Sequence, residues 1–170
     1  LEVLFFGQVT LRKWIAYLWE AAQLLRDKPV RFTVVGPLDV THVCVAAAPA
    51  NVRVRGSVPR SAAARVYAAA DVFVLPTLSY GFVITQLEAM AHGLPVITTE
   101  HCGRVVTDGT DGLLVKACSG KAIASAVRDL MSPEARERMS ATARVTSSEF
   151  PLERPFSCLE DAHRRWPAGA

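Results

Sequence analysis

Short apolar runs alternate along this chain with longer stretches whose apolar residues recur every three or four positions. The runs are Val3 to Phe6, Arg31 to Val35, Val52 to Arg55, Asp71 to Leu75, Pro95 to Thr98 and Gly112 to Val115. Several are apolar almost throughout, the pattern of strands buried on both faces. Gly7, Gly36-Pro37 and Gly56 close the first three, and Asp108-Gly109 and Asp111-Gly112 supply turn chemistry before the last. Between the runs lie helical stretches. Leu11 to Arg26 sets Trp14, Ile15, Leu18, Ala21, Ala22 and Leu25 on one face, opposite Glu20, Gln23 and Asp27. Val40 to Ala48 reads as a short helix against the preference of its β-branched residues. Ser61 to Ala70 is alanine-rich, with Ser61 at the N-cap position. Val83 to His92, Lys121 to Leu130 and Pro133 to Ala143 complete the helices, followed by a less regular tail. Strands alternating with helices predict right-handed βαβ units, hence an α/β fold on a mainly parallel sheet of about six strands.

Composition changes this picture little. The 170 residues suit one domain with its own core, and 51% hydrophobic with 21% charged residues is an ordinary globular balance. A net charge of +3, spread without any long run of like charges, points away from nucleic acid. Cys44, Cys102, Cys118 and Cys158 stand far apart with no C-x-x-C pair, so four reduced thiols are expected. No apolar run reaches the roughly 18 residues of a spanning helix. The N-terminus shows neither the basic head nor the cleavage site of a secretory signal. A cytoplasmic location is therefore expected, and it admits peripheral contact of a parent protein with a membrane.

The chemistry is expected around residues 77–88. A loop leaving the carboxyl end of a parallel strand for a helix N-terminus is where doubly wound sheets bind ligands, and backbone N–H groups with the helix dipole favour an anion there. Gly81, in Leu78-Ser79-Tyr80-Gly81-Phe82, lets a ligand approach the backbone closely. On the following helix Val83, Ile84, Leu87, Met90 and Ala91 form the apolar stripe, and at about 100° per residue Glu88 falls on its border. A carboxylate there can face a cleft and accept hydrogen bonds from vicinal hydroxyls; the bland alternative is a solvated helix glutamate. Arg12 and Lys13 open the first helix, where cations oppose the macrodipole, which makes sense if an external anion sits at the same end. Their bland alternative is two solvated surface charges. The chain has no G-x-G-x-x-G, P-loop, G-x-S-x-G, H-E-x-x-H or D-x-D motif. His42, His92, His101 and His163 are expected to be surface or structural residues. No metal site is expected.

Taken together, these segments resemble the C-terminal Rossmann-like domain of GT-B glycosyltransferases, specifically the retaining family 4. The family's pattern is G-R-L-x-x-x-K-G after the first strand, then a-D-v-f-v-l-P-S, E-G-F-G, L-E-A-M-A-x-G-x-P-V-I and D-G-x-x-G-x-L-V. The counterparts here are Gly7-Gln8-Val9 with Lys13, Ala70 to Pro76, Gly81-Phe82, Leu87 to Ile97 and Asp108 to Val115, in the family's order from about Val3 to Val145. The resemblance implies one Rossmann-like domain at 1–148 and a partly helical tail at 149–170, with the N-terminal acceptor domain absent.

It further implies that Lys13, with Arg12, contacts the donor diphosphate. Glu88, the second glutamate of E-x7-E, holds the nucleotide ribose. Gly81, Phe82, Val83 and Ile84 face the donor sugar and phosphates. No cofactor or metal is implied. The implied partners are a nucleoside-diphosphate sugar and, through the missing domain, a saccharide or lipid-linked acceptor. The implied reaction is transfer of a hexosyl group to a hydroxyl with retention at the anomeric carbon, which the fragment alone is not expected to perform. The chain departs from the pattern at four positions: Tyr80 replaces the first glutamate, Gln8 the phosphate arginine, Trp14 the glycine after the lysine, and Arg104 the glutamate after G-G. Tyrosine and glutamine still hydrogen-bond but carry no charge. These departures keep open a second reading, a non-catalytic α/β module that binds a nucleotide or a partner. An unrelated flavodoxin-like domain would want a phosphoacceptor aspartate at a strand end, whereas Asp71 stands at a strand start.

Overall fold

The computed structural model describes residues 1–10, 15–77, 84–102 and 105–150. In chain order its elements are β1 (Glu2–Phe6), β2 (Val9–Thr10), α1 (Ile15–Leu24), β3 (Arg31–Val35), β4 (Leu38–Asp39), α2 (His42–Ala46), β5 (Val52–Gly56), α3 (Arg60–Ala68), β6 (Val72–Leu75), α4 (Ile84–Ala91), β7 (Val96–Thr99), β8 (Gly112–Val115), α5 (Gly120–Asp129) and α6 (Pro133–Glu149). Six strands form one sheet in the order β5-β3-β1-β6-β7-β8, and every pairing in it is parallel. Numbered within that sheet alone, the strands run 3-2-1-4-5-6, the doubly wound arrangement. The α/β expectation and the Rossmann-like sheet are both found.

The middle of the sheet is held by strands with little or no exposed face, whereas β5 at one edge exposes Arg53 and Arg55. All residues of β6 and β7 are buried, as are Val3, Leu4 and Phe5 of β1. Each large apolar side chain so buried contributes about 1.5–3 kcal/mol relative to its exposed state. Register places Val3 beside Phe32 on one side and Val72 on the other, and Phe73 beside Val96. Right-handed crossovers put α1 and α4 on opposite faces, because β1 to β3 and β6 to β7 advance in opposite directions. On one face Trp19 Nε1 of α1 donates to the Cys44 carbonyl of α2 at 3.0 Å, and Glu20 Oε2 accepts the Gly120 N–H of α5 at 3.2 Å. On the other, α3 and α4 meet through their side chains and α6 packs on α4.

Several local expectations are corrected. Ser61 is not the N-cap of α3: the helix starts at Arg60, Pro59 holds the cap position, and no side chain caps it. Proline's fixed φ suits the extended cap geometry, which leaves Ser61 already inside the first turn. The helix expected over Val40 to Ala48 shrinks to His42–Ala46, capped by Thr41 and preceded by β4. The β-branched residues at its start favour extended backbone. The helix expected to stop at Ala143 continues to Glu149. On α4, Ala91 is exposed while Gln86 and Ala89 are buried, so its inward face is rotated relative to the expected stripe. On α1, Ile15, Leu18, Ala21, Ala22 and also Leu25 beyond its end are buried as expected, and Trp14 lies outside the described residues. Cys44 and Cys118 are free thiols. Among the described residues no helix is long and apolar enough to cross a membrane.

Candidate functional site

Strand order reverses between β1 and β6, so the crevice of a doubly wound sheet opens beyond their carboxyl ends. There the chain leaves β1 through Gly7-Gln8 and β6 through Pro76-Thr77. The segments that follow β1 and β6 thus start from neighbouring strands at the same edge. A second, two-stranded parallel sheet fixes the first loop. The N–H of Gly7 donates to the Val35 carbonyl at 2.9 Å and that of Val9 to Pro37 at 2.8 Å, so β2 pairs with β4 as a short continuation of β1 and β3. This kink requires glycine at position 36, whose φ is +138°: a Cβ there would stand 2.0 Å from the Gly7 carbonyl oxygen.

On the α3–α4 face a carboxylate, a phenol and an imidazole come together. The Tyr67 hydroxyl donates to Glu88 Oε2 at 2.8 Å. The Tyr67 ring is only 1% exposed; its centroid lies 5.2 Å from that of Phe6, 6.1 Å from Phe73 and 5.1 Å from the stacked His92 ring. Phe6 is the last residue of β1 and Phe73 the second of β6, so the Tyr67 ring lies against the two strands between which the order reverses, whose carboxyl ends form one edge of the sheet. The geometry follows from helix stereochemistry: α3 and α4 both start at that edge, and helical side chains lean toward their own N-terminus. Burial, then the hydrogen bond and charge of Glu88, push the Tyr67 hydroxyl far above the usual phenol range, so it remains a donor. Glu88 is half-buried, and Oε1 has no hydrogen-bond partner among the described residues. Glu88 is thus tied to the fold through Oε2 rather than wholly solvated. His92, expected to lack partners, stacks on Tyr67, and its Nδ1 lies 2.8 Å from the Glu88 carbonyl oxygen. The helix ends there in a Schellman-type stop, with Gly93 N–H on the Met90 carbonyl and Leu94 N–H on that of Ala89.

Beside this group lies a buried polar cluster that the sequence reading missed. Thr98 Oγ1 donates to the Leu75 carbonyl at 3.0 Å and accepts from Gln86 Nε2 at 3.1 Å, while Thr99 Oγ1 donates to the Thr77 carbonyl. Gln86 is fully buried, with Nε2 2.7 Å from Cys102 Sγ and, among the described residues, no partner for Oε1. The cluster ties the carboxyl ends of β6 and β7 to α4. Its only signal in the sequence was polar Thr85-Gln86 inside an apolar stretch.

Of the residues singled out from sequence, Gln8 is exposed at the carboxyl edge, Ile84 is half-buried as the first residue of α4, and Glu88 sits one turn further on. Arg12, Lys13, Tyr80, Gly81, Phe82 and Val83 lie outside the described residues. A cavity of about 470 Å³ opens at the end of β7, lined by Thr99, Cys102 and Asp108 among others. Another, of about 570 Å³, lies away from this edge, between α3 and the open face of β3 and β5, where exposed Arg31, Arg53 and Arg55 line it. Glu2 Oε1 there accepts from Arg31 Nε at 2.5 Å. That second cavity has the character of a solvated sheet face.

The chain is 29% identical over 182 residues to a D-inositol 3-phosphate glycosyltransferase of Paenarthrobacter aurescens, an alignment covering 99% of this chain and 45% of that protein. It thus spans less than half the length of that relative. Among solved structures, it resembles the C-terminal domain of a glycosyl transferase group 1 family protein from Francisella tularensis, with a TM-score of 0.76, 23% identity, and 87% of this chain and 84% of that one covered. Anabaena HepE, solved in complex with UDP and glucose, matches with a TM-score of 0.81 at 18% identity, over 97% of this chain and 48% of HepE. Both structural likenesses show the same fold. The model of the family described as glycosyl transferases group 1 matches residues 1–133, and on that match this chain, with the fold of a C-terminal GT-B domain, belongs to the group 1 glycosyl transferases.

Proposed function

We propose that this chain is the donor-binding half of a retaining, family 4-like glycosyltransferase, which takes a hexosyl group from a nucleoside-diphosphate sugar. The observation that carries the reading is Glu88: a half-buried carboxylate on α4, the helix that follows β6, with one oxygen held by Tyr67, whose ring lies near Phe6 of β1 and Phe73 of β6, and the other without a partner among the described residues. That oxygen suits a ribose diol, as vicinal hydroxyls donate to a carboxylate through charge-assisted bonds. HepE, which shares this fold, is solved in complex with UDP, which supports a nucleotide as the class of ligand. In the reaction the acceptor hydroxyl forms a bond to the anomeric carbon, the bond from that carbon to the diphosphate oxygen breaks, and the acceptor loses its proton. Negative charge grows on the departing diphosphate, where Lys13, with Arg12, and the N-terminal N–H groups of α4 would stabilise it. The acceptor belongs to the other half of the protein. Without that half the reacting atoms are neither held within about 3–3.5 Å nor closed off from water, so this chain alone should bind nucleotide and transfer nothing.

Titration calorimetry with UDP, ADP and GDP tests the reading. One of them should bind, and Glu88→Gln should weaken it roughly 10- to 100-fold, the worth of a charge-assisted hydrogen bond of about 1.5–3 kcal/mol. No binding by any of the three, or equal affinity of the variant, overturns it. A second reading, a non-catalytic nucleotide-binding module, is favoured by the uncharged Gln8 and Tyr80 at positions where the resembled family carries charge. It gives the same calorimetric result, but a parent protein holding both halves would then fail to turn over donor.

A further inference from the structure

Glu88 is reached by a single described side-chain donor, and that donor is among the most rigidly held side chains of the fold. Tyr67 is 1% exposed, and its ring lies against Phe6 at the end of β1, Phe73 within β6 and His92 just after α4. These contacts come from two strands of the sheet and from the end of the helix that carries Glu88. A ring so gripped leaves its hydroxyl one place to point, and that place is Glu88 Oε2 at 2.8 Å. A glutamate on a helix surface otherwise samples several rotamers, and holding it in one costs side-chain entropy at the moment a ligand arrives. We propose that Tyr67 is a positioning residue for nucleotide recognition: it holds the Glu88 side chain in the rotamer that turns Oε1 toward the ribose hydroxyls.

The proposal rests on the ribose-binding role of Glu88 and adds the group that pre-organises it. The division of labour is chemical. A carboxylate has about four lone-pair sites on two oxygens, so the bond to Tyr67 leaves Oε1 free to accept from the ligand. The donor here is neutral, so it leaves the full negative charge on Glu88, where an arginine or lysine in the same place would offset it. A phenol also cannot be lost to deprotonation in this setting, because burial and the adjacent carboxylate both oppose its ionisation. The ligand therefore meets a charged acceptor already aimed. Affinity gained this way depends on ordering before binding rather than on any contact between Tyr67 and the nucleotide.

The test measures binding of UDP and of dideoxy-UDP, which lacks both ribose hydroxyls, to the unaltered 170-residue chain and to its Tyr67→Phe, Glu88→Ala and doubly substituted forms. The unaltered chain should prefer UDP. Tyr67→Phe keeps the ring and its packing, and should weaken UDP by about 3- to 10-fold, the cost of ordering one side chain on binding. It should leave dideoxy-UDP unchanged. In the Glu88→Ala background the same change should have no further effect on UDP. If Tyr67→Phe weakens both nucleotides equally, or adds its full loss in the Glu88→Ala background, Tyr67 acts on the fold alone and the proposal fails. If the variant retains the full preference for UDP, the proposal also fails, while the role of Glu88 stands. If the unaltered chain itself binds the two nucleotides equally, it is the ribose role of Glu88 that is wrong, and the proposal falls with it.

Discussion

The two faces of the sheet each carry a helix glutamate tied to a neighbouring element, and the ties are of different kinds. On the α1–α5 face Glu20 Oε2 accepts the N–H of Gly120, the first residue of α5, at 3.2 Å. That N–H is one of the donors a helix N-terminus leaves without an internal partner, and the carboxylate also opposes the positive end of the α5 dipole. Glu20 closes a seam between two helices. On the α3–α4 face Glu88 meets a neutral phenol, and its second oxygen has no partner among the described residues. Each carboxylate has a second oxygen without a partner among the described residues, but Glu20 is exposed and holds a backbone N–H, whereas Glu88 is half-buried and holds a buried side-chain hydroxyl. On the reading proposed above, the first seam is structural and the second serves the ligand, and each can be probed for the property it should lack.

The largest effect is expected from emptying the structural seam. Leu18 is fully buried on the inward face of α1. Leu18→Ala removes its transfer energy and leaves a cavity, at a cost of about 2–5 kcal/mol. Urea denaturation should show that loss in the midpoint, while nucleotide affinity measured well below the transition stays within twofold of the unaltered chain. A large fall in affinity without a fall in stability would mean that the α1 face also serves the ligand, and the division between the seams would collapse.

How far this contrast could be read in advance follows from the range of each interaction. The strands and most helices were legible because their signal is local: continuous apolar runs closed by Gly7, Gly36 and Gly56, and a stripe through Ile15, Leu18 and Ala22. The position of Glu88 on the border of its stripe was also legible. Its partner was not, since Tyr67 lies 21 residues away and meets it only after β6 has been laid beside β1. The same reason hid the stacking of His92. Strands β2 and β4 escaped because two residues carry no periodicity, and only the close approach at Gly36 makes them pair. The buried cluster around Gln86 went unread because a glutamine within a helix is expected on the surface; only the Thr98 and Cys102 side chains beneath it hold it inside.

A smaller effect should appear in alkali, and only on the functional seam. The folded-state pKa of Tyr67 is raised by burial first and by Glu88 second, whereas the unfolded chain returns its phenol to about 10. A group with a raised folded pKa gives stability that is complete below the unfolded value and is lost as pH climbs from there toward the folded value. The contribution of Tyr67 should therefore be constant below about pH 10 and decline above it by up to about 1.4 kcal/mol per pH unit. Thermal denaturation of the unaltered chain and of Tyr67→Phe between about pH 9 and 11 isolates this part, because the other titrating groups are common to both. Parallel decline of the two curves would show that the Tyr67 hydroxyl is not held as a buried donor to Glu88.

The smallest effect belongs to Glu20. Its side chain is exposed, so water competes for it, and an anion at an exposed helix N-terminus contributes about 0.3–1 kcal/mol at low ionic strength. Glu20→Gln keeps an oxygen able to accept the Gly120 N–H and removes only the charge. The variant should lose a few tenths of a kcal/mol of stability at low salt, and the difference should vanish near 1 M salt, where screening acts over about 3 Å. Urea midpoints at the two salt concentrations provide the measurement, with nucleotide titrations on the same samples. Equal stability at both concentrations would make the Glu20 contact a hydrogen bond without an electrostatic part. A loss of affinity in Glu20→Gln approaching that of Glu88→Gln would be the more serious result, because two glutamates on opposite faces cannot both reach one ribose. The ligand site would then have to be sought away from the reversal between β1 and β6.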